Sequence, residues 1–397
     1  LFYADRNGDD VPDGDPEVRL TGFGLEDSHS VVNSLTWGPD GWLYATQGST
    51  VSGRVSRPGL DDGGEPVRSL GQLVWRYHPE KRLYEVFAEG GGNAFGVEVD
   101  ARGRIFSGHN GGDTRGVYYV QGGYLQKGFD KHGPLSNPYT FGYFPAMRHA
   151  KTPRFTHDFL IYQGGRFPSN YDGLLFGVAP LLNHVVMSRV IPDGSTFRTE
   201  DVGHAMATDD ARFRPVDLTA GPDGFVYVAD WHDSYVSHLK NNEGLVDVDT
   251  GRVYRLRPRD AKPEGAAVDL SRLSSRELVD RLDDPNRWLR FTALRLIGDR
   301  KDASIAPELR GRLTGVRALE ALWALNLVGG LDTSTMLAAL HHDDPYVRAW
   351  AVRLACDDGR PAAEVAQTIA KMAASEPNVE VRAQLAASAR RLPTRAT

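Results

Sequence analysis

The sequence predicts an all-β propeller followed by an all-α domain of stacked helical repeats, and three patterns carry that prediction. A turn ending in Gly recurs through the first 258 residues. Each copy leads into a segment rich in β-branched and aromatic residues with alternating polarity, the signature of strands rather than helices. After a Pro- and Gly-containing break the texture changes to Ala/Leu-rich helices whose starts share an acidic-Pro pair.

The chain opens on Leu1-Phe2-Tyr3, which reads as the tail of an earlier strand. The ring is therefore expected to be incomplete, or closed by residues preceding Leu1, which could also hold an export signal. Next comes Asp5-Arg6-Asn7-Gly8-Asp9-Asp10-Val11-Pro12-Asp13. Asp5, Asn7, Asp9 and Asp13 fall at loop positions 1, 3, 5 and 9 of a Ca²⁺-binding rhythm, with Pro16 where a bidentate acid usually sits. The same residues also suit a plain polar hairpin tip, because Asp, Asn and Gly are turn formers.

The turn appears first as Gly38-Pro39-Asp40-Gly41-Trp42-Leu43-Tyr44 and returns as Gly221-Pro222-Asp223-Gly224-Phe225-Val226-Tyr227. Weaker copies end on Gly103 and Gly173. A second strand follows each copy, at Gln72–Tyr77, Gly116–Val120, His184–Val190 and Gly251–Leu256. Four such units predict at least four blades within residues 1–258. Gly90-Gly91-Gly92 reads only as a turn.

The segment 259–268 is the expected linker, and residues 269–397 the helical domain. Asp284-Pro285, Asp344-Pro345 and Glu376-Pro377 each precede a helix, with a worn copy near Gly315-Val316-Arg317. Pro is tolerated in a first helical turn and an acid there favours the helix dipole. Arg290, Arg317, Arg348 and Arg382 recur at about thirty-residue intervals, each leading an Ala/Leu helix, and the pattern resembles HEAT repeats, whose stacked helix pairs make a solenoid. They are expected to form structural ladders to neighbouring acids. Trp288, Trp323 and Trp350 are expected in the core.

Composition excludes several functions. The formal charge is −6, and residues 269–397 carry 19 Lys/Arg against 17 Asp/Glu, so the acidic excess lies in the β region. No strongly basic face for nucleic acid is present. The lone Cys356 excludes an intrachain disulfide and a covalent haem motif, and no apolar run approaches a membrane span. No P-loop, dinucleotide-binding Gly pattern or Ser-His-Asp arrangement is visible.

Longer stretches are more specific. Asp27–Tyr44, Val74–Pro79, Asn93-Ala94-Phe95-Gly96, Ser136–Tyr139 and Phe213–Asp217 through Asp233 together resemble bacterial membrane-bound dehydrogenase proteins of the PVC-type haem-binding kind. That resemblance implies a propeller like those of soluble PQQ-dependent aldose and sorbosone dehydrogenases, then HEAT repeats, often with a cytochrome c domain that these residues do not contain. It also implies a periplasmic or cell-envelope location and a sugar-like substrate. His29, just ahead of a Gly-Pro-Asp turn, corresponds to the base that takes the substrate proton. Hydride transfer to a quinone needs a base with pKa near working pH. Eight residues separate His29 from Gly38, and Ser30 stands where many relatives carry a second His. A channel-lining or structural role for His29 therefore stays open.

Asn33, His109, Arg115, Lys131, His132, Arg214, Asp230 and Trp231 are the candidate cofactor contacts, with Lys127 beside them. Arg and Lys suit quinone carboxylates, and the loop around His109 suits a propeller mouth. The reading is a quinone-dependent sugar or aldehyde dehydrogenase that uses PQQ and Ca²⁺ and passes electrons to a haem c domain. The alternative is a non-catalytic carbohydrate- or protein-binding propeller with a HEAT interaction arm. In the first case His29, Asn33, His109, Arg115, His132 and Arg214 should converge on one mouth.

Overall fold

The computed structural model describes residues 1–27, 30–110, 113–128, 130–131, 133–149, 156–234, 247–261 and 269–392. The strands run β1 (Val32–Trp37), β2 (Leu43–Gln47), β3 (Gly53–Val55), β4 (Val67–Ser69), β5 (Leu73–His78), β6 (Leu83–Gly91), β7 (Asn93–Val99), β8 (Ile105–Asn110), β9 (Val117–Tyr119) and β10 (Gly123–Lys127). They continue as β11 (Gly142–Tyr143), β12 (Arg148–His149), β13 (Phe159–Ile161), β14 (Leu175–Ala179), β15 (His184–Asp193), β16 (Thr196–Ala207), β17 (Pro215–Ala220), β18 (Val226–Asp230) and β19 (Arg252–Leu256). Four main sheets result, β1-β2-β5-β6-β10-β11, β7-β8-β9, β12-β16-β15-β14-β13 and β17-β18-β19, with β3-β4 a separate hairpin. Phe2 joins no strand and makes only an isolated bridge to Glu17.

The recurring turns have a local cause. Gly41, Gly103, Gly173 and Gly224 all have φ between 69° and 81°, where a Cβ is strained. In the two strongest copies the Asp accepts from the backbone and from a Tyr. Trp42 N–H and the Tyr44 hydroxyl donate to Asp40, while Phe225 N–H and the Tyr227 hydroxyl donate to Asp223, each hydroxyl at 2.7 Å. The motif thus satisfies its own polar groups and projects the next strand.

One edge strand of each main sheet, β1, β7, β13 or β17, borders one central cavity. Three of them are bulged at matching places, between Asn33 and Thr36, Phe95 and Glu98, and Pro215 and Asp217. Ser34 at φ 59° and Gly96 at φ 77° occupy two of these bulges. A bulge bends the strand and redirects its side chains, which lets each strand curve about the cavity. Between adjacent sheets lie separate apolar cores, one joining Trp42, Tyr44 and Phe87 to Val97 and Ile105, another joining Leu160, Phe176 and Val185 to Leu218 and Val228. The last sheet ends on the edge strand β19, where Val253 is 72% exposed and borders the same cavity.

Gly123–Lys127 forms β10, which pairs in parallel with β6 of the first sheet, Tyr124 opposite Glu89 and Lys127 opposite Gly91, so its partner is far away in sequence and no local pattern announces it.

The helical region comprises α1 (Ser275–Arg281), α2 (Arg287–Arg300), α3 (Ala306–Arg312), α4 (Ala318–Leu327), α5 (Thr333–Leu340), α6 (Pro345–Cys356), α7 (Ala363–Ala373) and α8 (Val379–Ala389). Consecutive helices pack in pairs, and α2, α4, α6 and α8 also pack on one another as a layer. Asn or Asp side chains cap α2, α5, α6 and α8. Arg290, Arg348 and Arg382 occupy equivalent positions. Each donates to the carbonyls six and five residues earlier, and Arg290 and Arg348 also pair with Glu320 and Glu376. Arg317 departs from the pattern and sits at the start of α4. No described helix is long and apolar enough to cross a membrane.

The even-numbered helices lie against the Gly turns. Asn286 Nδ2 donates to the Gly221 and Pro222 carbonyls, Trp350 Nε1 to the Arg102 carbonyl, and Arg353 to Asp40. Arg76, fully buried, meets Glu85 and Asp357, and Arg391 reaches the same Glu85. One face of the β region is thereby covered. The opposite face, where those edge strands begin, carries the long connections.

Candidate functional site

On that opposite loop face, a pocket of about 510 Å³ opens beside the ends of β6, β8 and β10. Its wall includes Gly91, Gly92, His109, Lys127, Tyr143 and Arg148. A concave site of this size with a few polar groups suits a small molecule.

His109 comes from the end of β8 and is only 8% exposed. Its Nδ1 accepts from the Gly92 N–H at 2.9 Å, so a neutral ring carries its proton on Nε2. Burial pushes its pKa down to about 4, which keeps the imidazole uncharged at neutral pH. In this tautomer it is a hydrogen-bond donor rather than a base. Lys127, at the end of β10, is also buried. Its Nζ lies 3.1 Å from Glu89 Oε2, but neither atom makes a hydrogen bond of good geometry. The other Glu89 oxygen accepts from the Ser136 and Asn137 backbone. The ammonium is thus neutralised by Glu89 within the wall, and its Nζ is closed off from solvent.

The pocket floor is the segment Gly90–Asn93. Gly90 has φ 102° and a Cβ there would fall 1.9 Å from the Leu125 carbonyl oxygen. Only Gly lets β6 and β10 approach so closely. Asn93 then turns away from the pocket, and its Oδ1 accepts from Ser30 Oγ at 2.9 Å and from Ser49 N–H at 2.6 Å. One short crosspiece is therefore held by His109 on one side and by residue 30 on the other. His29 and His132 lie outside the described residues.

The remaining candidates divide into two groups. Asn33 pins β1 to the second sheet, with Oδ1 accepting from Thr46 and Gly96 N–H and Nδ2 donating to the Ala94 carbonyl. Lys131 Nζ donates to the Leu70 carbonyl, and burial holds its pKa below the usual value, opposed by Glu26 and reinforced by Lys127. These two stand with His109 around the first and second sheets. Arg115, buried, is spent on Asp201, which also accepts from Ser188. Arg214 donates to the Asp233, Pro180 and Ser234 carbonyls. Asp230 accepts from the Arg214 and His232 N–H groups, and Trp231 N–H donates to the Arg214 carbonyl. Arg214, Asp230 and Trp231 thus knit together one end of the fourth sheet. Of the six groups expected at one mouth, His29 and His132 lie outside the described residues, and Asn33, His109, Arg115 and Arg214 each bond to separate partners.

At the N-terminus, Asp5 accepts from the Gly8, Asp9 and Asp10 N–H groups, Asn7 and Asp9 bond each other, and Asp13 accepts from Arg6 N–H. These carboxylates serve the backbone of an exposed turn. Among the described residues no three His, Cys, Asp or Glu side chains are grouped to hold a metal. Glu89 and Gly90 are the site residues that a local reading passes over or underrates, because their partners Lys127 and Leu125 stand 38 and 35 positions away in sequence.

A family model described as a domain of unknown function, DUF7133, matches residues 1–260. The chain belongs to this family. No curated protein matches it. Among solved structures, similarity extends to an oxidoreductase of glucose dehydrogenase type from Thermus thermophilus, at 20% identity and TM-score 0.37 over 56% of this chain and 63% of that one. It extends also to the soluble aldose sugar dehydrogenase of Escherichia coli in its apo form, at 16% identity and TM-score 0.33 over 50% and 60%. The PQQ-bound aldose sugar dehydrogenase of Streptomyces coelicolor is similar at 14% identity and TM-score 0.32 over 57% and 62%. The chain thus spans about three fifths of the length of these structures.

Proposed function

We propose that the DUF7133 region is a propeller-type, quinone-dependent oxidoreductase module acting on a sugar-like or aldehyde donor, with HEAT-type helices bracing its turn face. The observation that carries the reading is the loop-face pocket, where a neutral His109 offers its Nε2–H beside the buried Lys127–Glu89 pair. These groups fit a carboxylated orthoquinone such as PQQ. Bound there, such a quinone would supply the two-electron acceptor. Nε2–H of His109 would donate to an acceptor oxygen, while Lys127 and Arg148, paired to Glu89 and Asp193, would place positive charge on the wall facing the carboxylates. His109 is unsuited to removing the substrate proton, because its Nδ1 is already engaged. That role belongs in this reading to His29, whose neighbour Ser30 is fastened to Asn93 next to the pocket floor. Ca²⁺ dependence, onward transfer to a c-type haem and a periplasmic or cell-envelope location belong to the same proposal through the family resemblance.

A second reading, a carbohydrate- or protein-binding module without catalysis, draws on one observation. Arg115 and Arg214, two cations suited to a cofactor, are consumed by Asp201 and by backbone carbonyls. The test is aldose- or aldehyde-dependent dye reduction after titration with PQQ and Ca²⁺. Catalysis requires activity that His29→Ala abolishes. Cofactor binding without turnover, or turnover indifferent to His29, favours the binding module.

A further inference from the structure

A second cavity lies apart from the loop-face pocket. About 570 Å³ lies between β1, β7, β13 and β17 and is bordered on the turn face by α2. Trp37 of β1 and Trp288 of α2 both border it and are 39% and 36% exposed, whereas Trp323 and Trp350 are buried in the helical core as expected. Trp288 thus departs from the sequence expectation. Two large aromatic surfaces, one from each region of the chain, are left open to one cavity.

The polar wall is specific as well. Asp158, ahead of β13, and Asp217, in β17, lie within hydrogen-bonding reach of each other. Burial, and then the neighbouring Asp217 carboxylate, push the pKa of Asp158 well up, which favours its protonated form with an O–H donor beside carboxylate acceptors. Glu98 is neutralised by Arg287, and Arg295 stands on the same wall. Arg295 in turn pairs with Asp299, so the guanidinium charges on this wall are balanced by carboxylates, while an anion would meet the Asp pair. Neither sign of ligand charge is well served.

We propose that this central cavity is a binding site for a neutral carbohydrate, distinct from the loop-face pocket, with sugar rings stacked on Trp37 and Trp288 and hydroxyls bonded by Asp158 and Asp217. Stacking suits the apolar C–H faces of a sugar, while carboxyl groups match its hydroxyl edge. The site needs both regions of the chain, because Trp288 reaches the cavity only when α2 is docked through Asn286 and Arg287.

The experiment titrates the whole chain with cellohexaose, xylohexaose and mannohexaose, and with an alginate hexamer as charged control, following tryptophan fluorescence and heat. At least one neutral hexaose should bind saturably, and the alginate hexamer should not. Trp288→Ala, Trp37→Ala and Asp217→Asn should each weaken that binding about tenfold, equivalent to about 1.4 kcal/mol, with circular dichroism unchanged. Lys127→Met should leave it intact, which separates this site from the quinone pocket. The inference is overturned if no neutral hexaose binds, if the alginate hexamer binds equally, if affinity ignores both Trp changes and Asp217→Asn, or if Lys127→Met abolishes it.

Discussion

Replacing Asp357 by Asn removes one charge from the buried contact between the helical region and the first sheet. Asp357 accepts from Arg76 Nη1 at 3.0 Å and Nη2 at 2.9 Å, and from Gln121 at 3.0 Å. The Arg76 side chain is 0% exposed, so losing this carboxylate leaves a guanidinium that cannot recover water. Removing one partner of a buried pair typically costs about 3–5 kcal/mol. Here Arg76 keeps Glu85 at 2.6 Å and Asp40 at 3.6 Å, and Asn can still accept one hydrogen bond. The low end, about 3 kcal/mol, is therefore expected. Despite its burial, the adjacent Arg76 charge and its hydrogen bonds, with Arg353 and Arg391 nearby, hold the Asp357 carboxyl well below the usual range. A carboxyl with a depressed folded pKa contributes stability that is present above its unfolded pKa and lost as pH falls through the folded one. The contact should accordingly survive mild acid in the parent chain. Urea unfolding with far-UV circular dichroism, together with limited proteolysis of the 257–269 connection, reads the effect. A double-mutant cycle with Arg76→Met isolates the pair and should give a coupling of about 2 kcal/mol. A coupling below about 0.5 kcal/mol, with unchanged proteolysis, would refute the view that this charge cluster fastens the two regions.

Three further outcomes follow from the geometry. His109 is held near pKa 4, below its ordinary 6.5, so the unfolded chain binds more protons between those values and stability should fall as pH drops from 6.5 to 4. The loss should reach about 3 kcal/mol and be absent in His109→Gln, as measured by denaturant midpoints across that range. Gly90→Ala should destabilise by at least about 2 kcal/mol, since it combines a positive φ with a 1.9 Å clash against Leu125 O, and a thermal-shift measurement within error of the parent would contradict it. Asn286→Ala removes both the α2 cap and the bonds to the Gly221 and Pro222 carbonyls, and should cost about 1–3 kcal/mol in urea titration, with Asn286→Asp restoring only the cap.

What the sequence reveals is what short-range chemistry decides. The Gly-Pro-Asp-Gly turns are legible because positive φ, the Asp acceptor and the Tyr hydroxyl all lie within seven residues. The acidic-Pro helix starts are legible for the same reason, and Arg290, Arg348 and Arg382 betray their equivalence by bonding carbonyls five and six residues back. The site is less legible. Arg115 has the same local surroundings whether it faces a ligand or Asp201, and only the fold brings residue 201 to it. Lys127 acquires its meaning from Glu89, through the parallel pairing of β10 with β6. Trp288 and Trp350 both sit on amphipathic helices, yet one opens on the central cavity and the other packs on Gly103. Long-range partners settle each case, and a single chain read in order does not contain them.

The central claim is that the loop-face pocket holds a carboxylated quinone through His109 and Lys127. The most direct measurement is equilibrium binding of PQQ to the whole chain, by titration calorimetry with and without Ca²⁺, for the parent, Lys127→Met and His109→Gln. The account predicts saturable one-to-one binding that each change weakens by about tenfold or more, the worth of one hydrogen bond to a charged or buried partner. No PQQ binding by the parent, or equal affinity in all three proteins, would contradict it.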